Sequence, residues 1–301
     1  MKARWLSLAL IPILLTAVVL PAGCGWLFTA KDTGPLTTRG YDFTGFTAVD
    51  VGSAFTVVIT RADAYSVNIT TRESLFKDIR VVNSSGTLRI SLSWPGAIIG
   101  SRTLEAHITM PELTSLEVSG ATKAAVTGFQ SADRLSVRVS GASTLDLDAE
   151  TGDFTGDISG ASRFTARVKT GRADIGLSGA STLRLEAETG DFALNSSGAS
   201  DTAGRLNAAS TDLYLTGASD LQISGSGGNL RLNGSGASEA RLTGLVLEDA
   251  DVQLNGGSRA EVDLDGTLNV TLSGGSVLRY GGHPTLGSRM AITGGSRLEP
   301  R

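Results

Sequence analysis

From about residue 115 onward the chain alternates apolar and polar positions in short runs. Leu145, Leu147 and Ala149 alternate with Asp146, Asp148 and Glu150. One interval later the apolar slots hold Phe164, Ala166 and Val168, and then Leu183, Leu185 and Ala187. A period of two marks a strand with one buried and one solvated face. A second run in each interval behaves alike: Leu135, Val137 and Val139, then Phe154, Gly156 and Ile158, then Ala173, Ile175 and Leu177. The runs are punctuated by a motif close to Ser-Gly-Ala-Ser. Its first glycine falls at Gly120, Gly141, Gly160, Gly179, Gly198, Gly217, Gly236, Gly256, Gly274 and Gly294, at intervals of 21, 19, 19, 19, 19, 19, 20, 18 and 20 residues. Gly52, in Val-Gly-Ser-Ala, reads as an early, degenerate member. A second corner, Glu-Thr-Gly at 150–152 and 188–190, divides each interval into two predicted strands. Glycine suits such corners because positive φ carries no steric cost for it.

Units this small cannot close a core alone, whereas a stack of them buries a continuous one. Parallel stacking puts residue i over residue i+19, and the outward face makes that register visible. Asp148, Arg167, Glu186 and Arg205 then form a column of alternating sign, and Glu150, Lys169 and Glu188 form another. Arg134, Asp153, Arg172 and Asp191 form a third, and Arg138 stands over Asp157. Opposite charges on neighbouring strands attract and like charges repel, whereas a solvated face without register has no reason to order its signs. The rhythm of hexapeptide helices, of nine-residue calcium-binding rolls and of leucine-rich repeats is absent. The expectation is an all-β, right-handed parallel β-helix, a β-solenoid of about 19 residues per coil. Ten recognisable coils follow a set of N-terminal strands, and at ~4.8 Å per coil they span roughly 50 Å.

Composition changes the picture at the N-terminus. The chain has 301 residues, 38 glycines, one cysteine, two histidines and a net charge of −4. Mild acidity argues against nucleic acid as a partner, which calls for clustered Lys and Arg. A single cysteine excludes an internal disulfide framework and a multi-cysteine zinc site. Residues 1–23 read as an export signal: Lys2 and Arg4 precede an apolar run from Trp5 to Leu20, then Pro21-Ala22-Gly23 leads to Cys24. This order resembles a bacterial lipoprotein signal, in which the cysteine is lipidated and becomes the mature N-terminus; Pro21 stands where an aliphatic residue is usual. The alternative is an uncleaved anchor from Trp5 to Phe28. Either way the remainder is expected outside the cytoplasm, held to a membrane. Residues 24–40, polar with Gly and Pro, read as a tether, and 41–301 as one β-helix domain.

Several further segments resemble one family. They begin at Gly45-Phe46-Thr47-Ala48-Val49-Asp50-Val51 and continue through Gly86-Thr87-Leu88-Arg89-Ile90 and Ile108-Thr109-Met110-Pro111-Glu112-Leu113. The last of them are Tyr280-Gly281-Gly282-His283-Pro284 and Gly294-Gly295-Ser296. In order and content these are similar to the putative auto-transporter adhesin head GIN domain family. The resemblance implies a right-handed β-helix on an exported, often lipid-anchored bacterial protein, and brings no agreed active site.

β-Helices also carry polysaccharide lyases and hydrolases, so a carbohydrate-active enzyme is the alternative reading. Such sites need several unpaired carboxylates, or acids with Lys or Arg, on one face, and here the outward acids are interleaved with bases. Asp249, Asp251, Glu261, Asp263 and Asp265 form an acidic run in which a weak calcium site is weighed against a solvated face. His107 and His283 have no ligand partner at short spacing, so neither a metal site nor a cofactor is expected. Trp94, in Ser93-Trp94-Pro95-Gly96, breaks the coil rhythm and reads as a loop that either caps the first coils or binds a partner. The sequence thus points to a non-enzymatic envelope or surface binding module whose ligand, glycan or protein, is not named by any motif.

Overall fold

In a computed structural model, residues 34–93 and 103–301 are described; the signal region, Cys24 and Trp94 lie outside these. The alternating runs form strands Thr144–Ile158, Arg163–Leu177, Thr182–Ser196, Asp201–Leu215 and Asp220–Gly234, each 15 residues long. They stack in parallel with residue i over i+19, as in Leu145↔Phe164↔Leu183 and Ile158↔Leu177↔Ser196. The molecule is therefore a parallel β-solenoid, and apart from one short 3-10 turn at Glu73–Leu75 its described elements are all strands.

From Thr144–Ile158 to Glu239–Leu254 the two predicted strands of each interval are one strand, whereas in the interval before and the two after they stay separate, as in Arg259–Leu264 and Thr267–Leu272. The second corner bends the chain without interrupting the ladder. Thr151 faces the core, Gly152 and Asp153 both face outward, and Phe154 is buried again, so two successive outward residues shift the inward phase by one. Neighbouring chains touch here. A Cβ on Gly190 would lie 2.8 Å from the Gly171 carbonyl oxygen. Thr170 Oγ1 lies 3.0 Å from the Gly152 carbonyl, which satisfies an inward hydroxyl at the bend. We call residues equivalent to 144–151 the first arm and those equivalent to 153–158 the second.

The Ser-Gly-Ala-Ser corner closes each coil. Gly160, Gly179, Gly198 and Gly217 have φ of +75° to +78°. A Cβ on Gly179 would stand 2.5 Å from the Gly160 oxygen, which already accepts a hydrogen bond from the Ala180 N–H at 2.8 Å. Glycine is thus required twice over, by dihedral and by the close approach of the coil below. The serine that ends the motif turns inward and is buried at 143, 162, 181, 200, 219, 238, 258 and 276. Ser181 Oγ donates to the Ser178 carbonyl at 2.8 Å and Ser219 Oγ to that of Thr216 at 2.7 Å.

At the N-terminal end the chain order and the spatial order differ. Ala48–Val51 pairs with Ser115–Val118 on one side and Thr87–Leu92 on the other. Thr56–Arg61 likewise lies between Lys123–Gln130 and Leu104–Met110. The first coil is therefore threaded between a later segment and the main stack. Gly52 reaches the corner column there, but the positive φ values belong to Ser53 and Ala54. Beyond it, Ser66–Arg72 pairs antiparallel with Leu104–Met110 and Ile79–Ser84 antiparallel with Thr87–Leu92, at the end of the core. Leu36–Tyr41, whose first five residues fall in the expected tether, is a strand paired antiparallel with Ser66–Arg72. An Arg39–Glu73 ion pair and the Arg39 guanidinium 4.0 Å over the Phe76 ring hold it there. Toward the other end, Glu239–Leu254 has 16 residues and shifted register against both neighbours. The last coil strands, Thr285–Ile292 and Arg297–Pro300, each pair with one neighbour.

Candidate functional site

Because Leu145, Leu147 and Ala149 face the core, Asp146, Asp148 and Glu150 face solvent, and the next two coils repeat the arrangement with Phe164, Ala166 and Val168 and with Leu183, Leu185 and Ala187 inward. The register sets Asp148, Arg167, Glu186 and Arg205 in one outward column, and Glu150, Lys169 and Glu188 in the next. Arg167 bridges two coils: its Nη1 lies 3.4 Å from Asp148 Oδ2 and its Nε 3.1 Å from Glu186 Oε2. The hydrogen bond to Glu186, then that to Asp148, raises the guanidinium further above its ordinary value. Adjacency does not always become contact. No ion pair joins Glu186 to Arg205, or Lys169 to either glutamate, among the described residues. In the third column Arg134 meets Asp153 at 3.4 Å, while Asp191 accepts a 2.6 Å hydrogen bond from Ser210 Oγ. Arg138 and Asp157 stand 3.8 Å apart.

Two open grooves run beside the central column. One, of about 580 Å³, lies between it and the Glu150–Lys169–Glu188 column. The other, of the same volume, lies between it and Asp146, Thr165 and Arg184. Both cross several coils, so this face offers an extended, open surface of mixed polar and apolar character, in which carboxylates and bases recur at the strand spacing of ~4.8 Å. What such a surface does chemically is match hydrogen-bonding and charged groups of a long partner; its central acids, Asp148 and Glu186, are held by Arg167.

The acidic run of the later coils separates into individual pairs. Asp249 Oδ1 accepts from the Thr267 N–H, Asp251 pairs with Arg289 and Glu261 with Arg279. Asp263 pairs with Arg301, and Asp265 Oδ1 accepts from the His283 N–H. The described residues contain no group of three or more His, Cys, Asp or Glu placed to hold a metal ion. His107 is exposed in strand Leu104–Met110 opposite Asn68. The ten corner glycines line one edge, where each packs against the coil stacked before it. Sequence reasoning passed over Tyr214, which faces solvent from the second arm at 40% exposure. Its signal was its place between the inward Leu213 and Leu215.

The family model of the putative auto-transporter adhesin, head GIN domain, matches residues 45–187 and 175–284. The chain belongs to that family. A putative adhesin from Parabacteroides merdae has a similar structure, with 14% identity, a TM-score of 0.50, and coverage of 89% of this chain and 97% of the other. A second putative adhesin, from Parabacteroides distasonis, shows 14% identity and a TM-score of 0.51 over 90% and 98% of the two chains. At such identity the likeness concerns the fold. Among curated proteins none matches the chain.

Proposed function

We propose that this GIN-domain protein is a non-enzymatic binding module of the bacterial envelope, exported and held at a membrane through a lipid on Cys24. The coils present a rigid face to an extended surface ligand, a glycan or a protein. The observation that supports this reading best is the pair of grooves beside Asp148, Arg167 and Glu186, which are open along the coils and floored by backbone. A rigid strand scaffold presents such a surface already organised, which lowers the ordering cost of binding. The alternating charges suit a partner of mixed polarity and exclude one of strong single sign. Family membership agrees with a surface role.

The test is a binding array of glycans and envelope proteins against the full chain, with reducing-sugar release measured in parallel. Reproducible binding that falls on Arg167→Glu supports the module. An array without a bound partner overturns it, and sugar release replaces it with the carbohydrate-active alternative. For the anchor, Cys24→Ala is expected to abolish incorporation of a radiolabelled fatty acid; unchanged labelling removes Cys24 from the account.

A further inference from the structure

We propose that the second arm carries a separate binding site for a neutral, hydroxyl-rich saccharide chain, centred on Tyr214; this rests on the binding-module reading but places a ligand on a different face. One outward column of the second arm changes character along the stack. It begins with charged residues, Arg89, Asp50 and Glu117 followed by the ion pair of Arg138 and Asp157, and passes through Gly176. From there it carries no charge: Asn195, Tyr214, Asn233, Gln253 and Thr271 follow in successive coils. Tyr214 thus has one carboxamide in the coil before it and two in the coils after. Among the described residues neither its hydroxyl nor the amides of Asn195, Asn233 and Gln253 make a hydrogen bond.

That is an unusual outcome for stacked amides, which readily bond to one another in a ladder. Here the tyrosine separates Asn195 from Asn233, and Asn233 and Gln253, though adjacent in the column, make no hydrogen bond to each other. Each amide offers an acceptor and two donors, and a sugar hydroxyl, which both donates and accepts, can use either. The tyrosine ring offers an apolar face with a polar tip, suited to the C–H face of a pyranose. Leu213 and Leu215, both buried, fix the backbone on either side of it. The strand spacing of ~4.8 Å is about the width of one pyranose ring, so consecutive sugars meet consecutive coils.

The neighbouring column argues for a neutral ligand. Arg231 stands 3.8 Å from Asp212, and Asp251 lies 2.6 Å from Arg289. These charges are already matched to each other. Beside them opens a hollow of about 530 Å³ lined by these four charged residues and by Asp249, Asn229 and Asn269; it holds none of the column of Tyr214, so the charges keep to their own side of the arm. A protein partner fits less well. A stable protein interface covers about 800 Å² per side around an apolar centre, and on the second arm of these coils Tyr214 is the one exposed large apolar side chain among the described residues.

Calorimetric titration of the full chain with tetra- to hexasaccharides of the cello-, chito- and malto- series tests the site. Binding of at least one series is expected, with Tyr214→Ala weakening it by about tenfold through loss of the aromatic face. Tyr214→Phe should keep most of the affinity, and Asn233→Ala should lose part of it. Arg163→Ala, at an exposed position on the other arm, should leave it unchanged. All of these positions are exposed or half-buried, so an unaltered Tm separates loss of binding from loss of fold. Absence of binding to every neutral series, or binding indifferent to Tyr214→Ala, overturns the site. In either case an envelope protein or charged glycan captured on the array leaves the broader binding role standing.

Discussion

The corner residues concentrate the cost of error at single atoms. Gly179 is held at φ +75° with the Gly160 oxygen where its Cβ would go. The left-handed conformation costs an L-residue about 1–2 kcal/mol and overpacking adds to it, so Gly179→Ala is expected to lose about 2–4 kcal/mol in urea denaturation. The buried serines divide by their partners. Ser181 donates a 2.8 Å hydrogen bond, and Ser181→Ala should cost about 1 kcal/mol. Ser162 Oγ is buried without a partner, so Ser162→Ala should be neutral or stabilising, since the change removes an unsatisfied hydroxyl. Equal losses at the two serines would mean that their shared turn, rather than the hydrogen bond, sets the energy. The sequence motif makes all eight inward serines look equivalent; only the coordinates of the neighbouring carbonyls separate them.

At the scale of the strand, the ladder of charges is a matter of register first and contact second. Asp148, Arg167 and Glu186 stack because strands 19 residues apart align, which is why the columns can be read directly from spacing. Which ions touch is another question. Long side chains on an exposed face choose among several neighbours, and Asp191 takes the hydroxyl of Ser210 although Arg172 occupies the adjacent position in its column. Exposed pairs stabilise weakly and are screened by salt. Arg167→Gln is therefore expected to change stability less than Gly179→Ala. Arg167→Glu sets three carboxylates in a row and should be destabilising at low salt, with most of the loss recovered at 1 M NaCl. A loss insensitive to salt would point to packing of the arginine stem instead. The second corner was not legible as a bend inside one strand, because Glu-Thr-Gly is an ordinary turn signal. It takes the parity switch between Thr151 and Phe154 to show that the ladder runs through it.

For the whole molecule, stability passes from coil to coil, since each coil touches only its neighbours. The central run from 144 to 234 is continuous, regular and flanked on both sides. The N-terminal end is covered by antiparallel strands, an arrangement hidden from the sequence because Ala48–Val51 meets Ser115–Val118 only after the intervening chain has folded back beneath it. Periodicity reports that these segments are strands and says nothing of the order in which they stack. The C-terminal strands differ. Leu268, Val270 and Leu272 are buried, but their counterparts Leu286, Met290 and Ile292, in register with them one coil on, are 49%, 38% and 43% exposed. The same inward positions thus lack a layer above them, and their backbone bonds have solvent on one side. Native-state hydrogen exchange should therefore show a gradient, with protection greatest across 144–234 and least in Thr285–Ile292 and Arg297–Pro300. Leu268→Ala should cost about 2–5 kcal/mol, as a fully buried leucine does, and Leu286→Ala much less. Uniform protection along the stack would contradict this, because it would require the last coil to be as well covered as the coils inside.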